Sequence, residues 1–124
     1  MRKRREIVDM YRDGLEGIPG IRLPAEIPGN RHSWFVFAIR VEARIRNKLI
    51  EKLNAQGIQS KAYFDPCIHL QPFYRKEFGY KPGSFPIAEK ISSEVIILPF
   101  YTKLTEAQVD FVCLTLKKLM RSLG

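Results

Sequence analysis

Apolar residues at Ile7, Met10, Tyr11 and Leu15 recur at three- and four-residue spacing, which predicts a helix over residues 2–15. Gly14 and Gly17 weaken its end, and Gly17-Ile-Pro-Gly20 reads as a turn. Ile21 to Leu23 is a short extended piece, and Pro24 to Asn30 is loop. The pattern then changes period. Trp34, Phe35, Val36, Phe37, Ile39 and Val41 make Ser33–Val41 a nearly continuous apolar run, as expected of a strand covered on both faces. Glu42 to Gln56 returns to helical spacing through Ile45, Leu49 and Leu53, with Gly57 placed to cap it in a left-handed conformation. Ile58 to Phe64 reads as a second strand.

Asp65 to Gly83 carries three prolines and many aromatics and reads as compact irregular structure. Phe85 to Ser93 is a short helix with Pro86 in its first turn, and Val95–Leu98 is a buried strand stopped by Pro99. Thr105-Glu-Ala-Gln108 fits a capping box, in which hydroxyl and amide side chains satisfy free backbone groups reciprocally. Val109, Val112, Cys113, Leu116, Leu119, Met120 and Leu123 then form one stripe of a final helix. Such an order makes an α/β (α+β) fold of three or four strands packed with helices, as a single domain over residues 1–124. Periodicity leaves parallel and antiparallel pairing open.

At 124 residues, with 45% hydrophobic and 27% charged residues, the chain matches a globular domain and not a disordered tail. No run approaches the ~20 apolar residues of a membrane helix. No apolar segment of signal-peptide type follows the basic start, so the expected compartment is the cytoplasm. The net charge is +8, but four basic residues sit at positions 2–5. The remainder carries 17 basic residues against 13 acidic ones, scattered among each other. A basic nucleic-acid binder is one reading of that charge; a solvated helix start is the other. Without an aromatic RNA-binding signature or helix-turn-helix pattern, neither nucleic acid nor membrane is the expected partner. The mild surplus suits an anionic small molecule.

Ordinary catalytic motifs are missing: there is no P-loop, dinucleotide fingerprint, nucleophile elbow or zinc-protease helix. Cys67 and Cys113 show no zinc spacing, and Cys113 falls on the apolar stripe of the last helix as a buried thiol. The densest polar and aromatic segment is Tyr63-Phe-Asp-Pro-Cys-Ile-His-Leu-Gln-Pro-Phe-Tyr74, which follows a strand end, where sites are often built. His69 is its titratable group, able to hydrogen-bond a sugar hydroxyl or phosphate, or equally to cap a turn.

Several pieces of sequence together resemble the C-terminal domain of the DegT/DnrJ-type sugar aminotransferases. They are Gly57-Ile58, Tyr63-Phe64, His69-Leu-Gln-Pro-Phe-Tyr74, Gly79-Tyr80, Phe85-Pro86 with Ala88-Glu89, and Leu98-Pro-Phe-Tyr101 before Leu104-Thr-Glu. Arg4-Arg-Glu-Ile with Tyr11 and Ile18-Pro-Gly resembles the helix leading into that domain. Ser33-Trp34-Phe35 and Tyr63-Phe64 look most like the perosamine-synthase branch, which acts on nucleotide-linked 4-keto-6-deoxyhexoses.

The resemblance implies a pyridoxal-phosphate-dependent enzyme of fold type I that moves an amino group onto a keto sugar, working as a homo-oligomer. The cofactor lysine belongs to a large N-terminal domain that this chain does not match. It implies a small, largely antiparallel sheet under helices. It also implies substrate contacts at His69, with Tyr63 and Phe64 beside it, Trp34 as a pocket wall, and Arg31 on a diphosphate. No catalytic or metal-binding residue is expected in the chain, and the cofactor is not expected to attach to it. Asp65 and Cys67 depart from the family pattern before the histidine. A stand-alone binding or regulatory module derived from such an enzyme is the alternative.

Overall fold

The computed structural model describes residues 2–24, 36–62 and 71–123. In chain order the elements are α1 (Arg2–Leu15), β1 (Phe37–Arg40), α2 (Ala43–Ala55), α3 (Pro72–Phe78), α4 (Pro86–Glu94), β2 (Val95–Leu98) and α5 (Glu106–Leu123). β1 and β2 pair antiparallel, with Phe37 opposite Leu98 and Arg40 opposite Val95. A single antiparallel bridge extends each edge: Arg22 to Arg40 outside β1, and Lys61 to Ile97 outside β2. Four antiparallel tracks therefore lie side by side, of which two are long enough to be strands.

All four residues of β2 are buried, while β1 alternates between buried and half-buried. The pleat sends Phe37, Ile39, Ile96 and Leu98 to one face, where they join the helices in the main core. α1 presents Ile7, Val8, Tyr11 and Leu15 to that core, and α5 presents Val109, Val112, Cys113, Leu116 and Met120. α2 adds Ile45, Leu49 and Leu53. The three helical stripes read from the sequence thus become one apolar interior.

The local start and stop signals act as their chemistry requires. Thr105 N–H donates to Gln108 Oε1 at 2.8 Å, and Gln108 N–H donates to Thr105 Oγ1 at 3.2 Å, closing the capping box of α5. Gly57 follows α2 with φ +83°, and its N–H donates to Asn54 O at 3.0 Å. Arg46 is a buried cation that the apolar pattern of α2 did not reveal. Its Nη1 donates to Ser92 O at 2.8 Å and Val95 O at 3.1 Å, tying α2 to the α4–β2 junction. Positive charge there also complements the negative end of α4.

Two expectations are corrected. The described part of the expected strand Ile58–Phe64, residues 58–62, is not a strand: it joins the sheet only through the single bridge of Lys61 to Ile97. The stretch 65–83 is not irregular throughout, because it contains the helix α3. Pro72 opens this helix with its φ already set, and Gly79, at φ +68°, ends it by donating to Arg75 O at 3.0 Å. The prolines punctuate the segment without dissolving it.

Candidate functional site

The residues assigned to substrate from the sequence, Arg31, Trp34, Tyr63, Phe64 and His69, all lie outside the described residues. The structure brings their described flanks into a defined frame. Pro24, two residues past the Arg22 bridge, precedes the first segment, and Val36 follows it at the head of β1. Ala62 precedes the second segment, next to the Lys61 bridge on β2, and Gln71 follows it at the start of α3. The described flanks of the two segments therefore adjoin the sheet, one at β1 and the other at the outer edge of β2.

The described part of this region is a shelf made by α3 and the turn after it. A cavity of about 510 Å³ is lined there by Pro72, Arg75, Lys76, Gly79, Tyr80 and Lys81. Arg75, Lys76 and Lys81 are exposed, and among the described residues none of them has an ion-pair partner. Beside the cations runs an aromatic series. Tyr80 lies with its ring centroid 5.9 Å from Phe78 and 5.6 Å from Phe85, the second pair edge to face. Phe78 is 62% exposed and Phe85 47%, while Tyr80 between them is half-buried.

The backbone of the shelf is held by its own hydrogen bonds. Lys81 N–H donates to Ser84 Oγ at 3.0 Å, and Ser84 N–H donates back to Lys81 O at 3.0 Å. Glu89, one turn into α4, accepts from Gly83 N–H at 2.8 Å and from Phe85 N–H at 3.0 Å. The carboxylate thus serves the free amides at the helix start and closes the turn onto α4. Tyr80 and Lys81 consequently project from a braced turn. Sequence reading stopped at Tyr74 and missed this group. The signal was present in Pro72 and Gly79, which bracket one short helix and place Arg75 and Lys76 on its last turn.

A second polar cavity, of about 310 Å³, is lined by Gly20, Arg22, Arg40, Glu42 and Glu94 among others. Its charge is internally matched. Arg40 Nη2 donates to Glu94 Oε1 at 2.7 Å and Nε donates to the same oxygen at 3.2 Å. That bonding, with the Arg40 charge behind it, holds the Glu94 carboxyl below the usual carboxylate range against a smaller opposing effect of burial. Burial pushes the Cys113 thiol up to about 11, with Asp110 adding to the shift, so it is a protonated packing group and not a nucleophile.

A lysine that holds a carbonyl cofactor as an imine needs an enclosed, desolvated seat. All ten lysines are described: nine are exposed and Lys52 is half-buried. None of them occupies such a seat among the described residues. No group of three or more metal-ligating side chains occurs among the described residues. No described helix is long and apolar enough to cross a membrane.

Comparison with known proteins gives this frame a family. The model of the DegT/DnrJ/EryC1/StrS aminotransferase family matches residues 1–117. The chain is 39% identical to the uncharacterized protein MJ1066 of Methanocaldococcus jannaschii, over 97% of this chain and 32% of that protein. It is 34% identical to the dTDP-3-amino-3,4,6-trideoxy-alpha-D-glucose transaminase of Streptomyces venezuelae, over 86% of this chain and 27% of that enzyme. Among solved structures, the PMP form of the putative sugar aminotransferase Spr1654 from Streptococcus pneumoniae superposes with a TM-score of 0.89 at 28% identity. That match covers 99% of this chain and 31% of the other. The chain thus spans about a third of the length of the curated relatives it matches. A match over nearly all of its residues, with the same small antiparallel sheet under helices, places this chain in the DegT/DnrJ/EryC1/StrS aminotransferase family.

Proposed function

We propose that the chain is the C-terminal, substrate-side part of a pyridoxal-phosphate-dependent nucleotide-sugar aminotransferase. The whole enzyme moves an amino group to a 4-keto-6-deoxy sugar nucleotide, in the perosamine-synthase-like branch, for polysaccharide or deoxyaminosugar synthesis in the cytoplasm, and this chain alone is inactive. The observation that carries this is the family match over residues 1–117 combined with coverage of only about a third of each relative. The exposed setting of every lysine but Lys52 supports a division of labour in which the imine-forming lysine belongs to a separate large domain. The cofactor supplies the electron sink for amino transfer when bound there. This chain supplies recognition: His69 and Arg31 hydrogen-bond the sugar or its phosphates, and Tyr63, Phe64 and Trp34 line the pocket. The working form is a homo-oligomer.

The test is complementation. The purified chain, mixed with a lysine-bearing large domain of the family, should restore transfer from glutamate to a keto sugar nucleotide. His69→Ala should lower that turnover by about tenfold or more, the loss of one charge-assisted or well-placed hydrogen bond. Stoichiometric borohydride trapping of pyridoxal phosphate on one lysine of the chain alone would overturn the reading, as would failure to complement. A stand-alone binding or regulatory module is the second reading, favoured by a core that closes within this chain; it requires saturable nucleotide-sugar binding without complemented turnover.

A further inference from the structure

The last helix has an outer face as regular as its inner one. Val109, Val112, Cys113, Leu116 and Met120 of α5 are buried in the core. On the opposite side Ala107, Phe111, Leu114 and Lys118 follow one another at three- and four-residue spacing, and all are exposed. Phe111 is 49% exposed and Leu114 59%. Ala107 and Phe111 also line a hollow of about 340 Å³ with Ile58, Tyr101 and Leu104, and no charged residue lines it. The apolar surface is therefore a continuous patch and not a scatter of single residues. Charges along one flank of this ridge change sign halfway: Glu106 and Asp110 come before Phe111, and Lys117 and Arg121 come after Leu114. None of the four is in an ion pair among the described residues. Asp13 and Glu16 of α1 share a hollow with Lys117 and Arg121 but form no ion pair with them. The helix macrodipole favours acids before bases, so it accounts for the order of the charges. It does not account for two large apolar side chains left in water at their centre.

We propose that this face of α5 docks on the same face of a second copy of the chain, with the two helices antiparallel across a two-fold axis near Leu114. Such a contact is isologous, so every feature must find its complement on an identical surface. The charges meet that condition. Glu106 and Arg121 stand equally far from the point between Cys113 and Leu114, on opposite sides of it, and so do Asp110 and Lys117. A two-fold axis through that point sets Glu106 of one copy beside Arg121 of the other, and Asp110 beside Lys117, each contact occurring twice. Leu114 then meets its own counterpart at the axis, and Phe111 is covered by the aliphatic stem of Lys118 from the other copy. Parallel pairing would instead bring the acidic halves together and the basic halves together, so the charges select the antiparallel arrangement. A single pair of helices makes a small interface, and the dimer is accordingly weak and reversible. The contact needs neither substrate nor cofactor, so it goes beyond the enzyme reading and stands independently of it.

Sedimentation equilibrium of the chain over a wide range of concentration tests this. A reversible equilibrium between monomer and dimer is expected, weakened by added salt. Leu114→Asp should weaken dimerisation by about tenfold or more, because it buries an unpaired charge at the axis. Asp110→Lys and Lys117→Asp should each weaken it by about tenfold, because each sets like charges together twice across the axis. An equal mixture of those two variants should recover the affinity of the wild type, since their heterodimer restores opposite charges at both contacts. Glu77→Lys on α3 makes the same change of net charge as Asp110→Lys and should alter nothing. All of these positions are exposed, and circular dichroism checks that the variants stay folded. A chain that stays monomeric, a dimer that Leu114→Asp leaves intact, or charge variants that fail to recover on mixing would each overturn the proposal. So would a monomeric wild-type chain whose complementation by a lysine-bearing large domain is abolished by Leu114→Asp, which would assign the face to that domain. Failed complementation with the dimer and its recovery on mixing intact would sink the enzyme reading and leave the pairing of α5 standing.

Discussion

Gly14 of α1 lies directly against Cys113 of α5: a Cβ built on Gly14 would sit 2.5 Å from Cys113 Sγ and 2.9 Å from its Cβ. The two helices approach closely because that side chain is missing, and Cys113 is buried there among the core residues of α5. Gly14→Ala adds helix propensity, about 1 kcal/mol, but forces two packed helices apart. Overpacking costs about 1–3 kcal/mol, so the expected net change is destabilising. Thermal unfolding should show a lower midpoint for Gly14→Ala, partly recovered by adding Cys113→Ala. A higher midpoint would show that the helices slide to accept the methyl group.

Tyr11 joins the same helix to the end of the sheet. Its ring stacks on Phe37 with centroids 4.8 Å apart, and its hydroxyl donates to Pro99 O at 2.5 Å. Burial, with Cys113 and Tyr101 adding to it, raises the Tyr11 pKa above the ordinary phenol value. Tyr11→Phe keeps the stack and removes the donor. It should cost about 1 kcal/mol in urea unfolding, since the half-buried Pro99 carbonyl is reachable by water. Because the folded pKa is raised, this contribution is full below the unfolded value, about 10, and declines as pH rises past it. The stability gap between wild type and Tyr11→Phe should therefore narrow on alkaline titration.

The Arg40–Glu94 pair gives the opposite pH dependence. Glu94 has its folded pKa depressed by Arg40, so its contribution is full above the unfolded value, about 4.3, and is lost as pH falls through the folded one. Glu94→Gln should lower the thermal midpoint near neutral pH and make little difference in strong acid. A midpoint difference that does not shrink on acidification would show that packing, and not the ion pair, carries the effect.

At the start of α5, Thr105→Ala removes the hydroxyl that accepts from Gln108 N–H. Loss of such a cap costs about 1 kcal/mol, and a helix carrying much of the core should transmit it to global stability. Thr105→Asn or Thr105→Asp, both able to accept the same bond, should restore most of it in the same unfolding measurement.

Much of the fold was legible from spacing alone. The helices α1, α2, α4 and α5 and the strand β2 follow from three- and four-residue recurrences and from one short apolar run, because each buries one stripe or both faces. α3 was harder to see: it spans seven residues, too few for a period to show, and most of its described side chains are exposed. The substrate-contact candidates were legible only through family resemblance, since a histidine between aromatics suits a turn as well as a ligand.

Sequence by itself therefore determined the class of the domain, its caps and the apolar stripes, because these depend on residues a few positions apart. It also carried the family, because the motif string runs nearly the length of the chain. Tertiary structure decided the antiparallel pairing of β1 with β2, the contact of Gly14 with Cys113, the Arg40–Glu94 bond and the single hollow shared by Arg75, Lys76, Tyr80 and Lys81. Most of these relationships join residues far apart in the chain. Even the hollow, built from near neighbours, depends on a turn braced by Glu89 of the next helix. No local period encodes such contacts: they exist only once burial of the common core has brought the elements together.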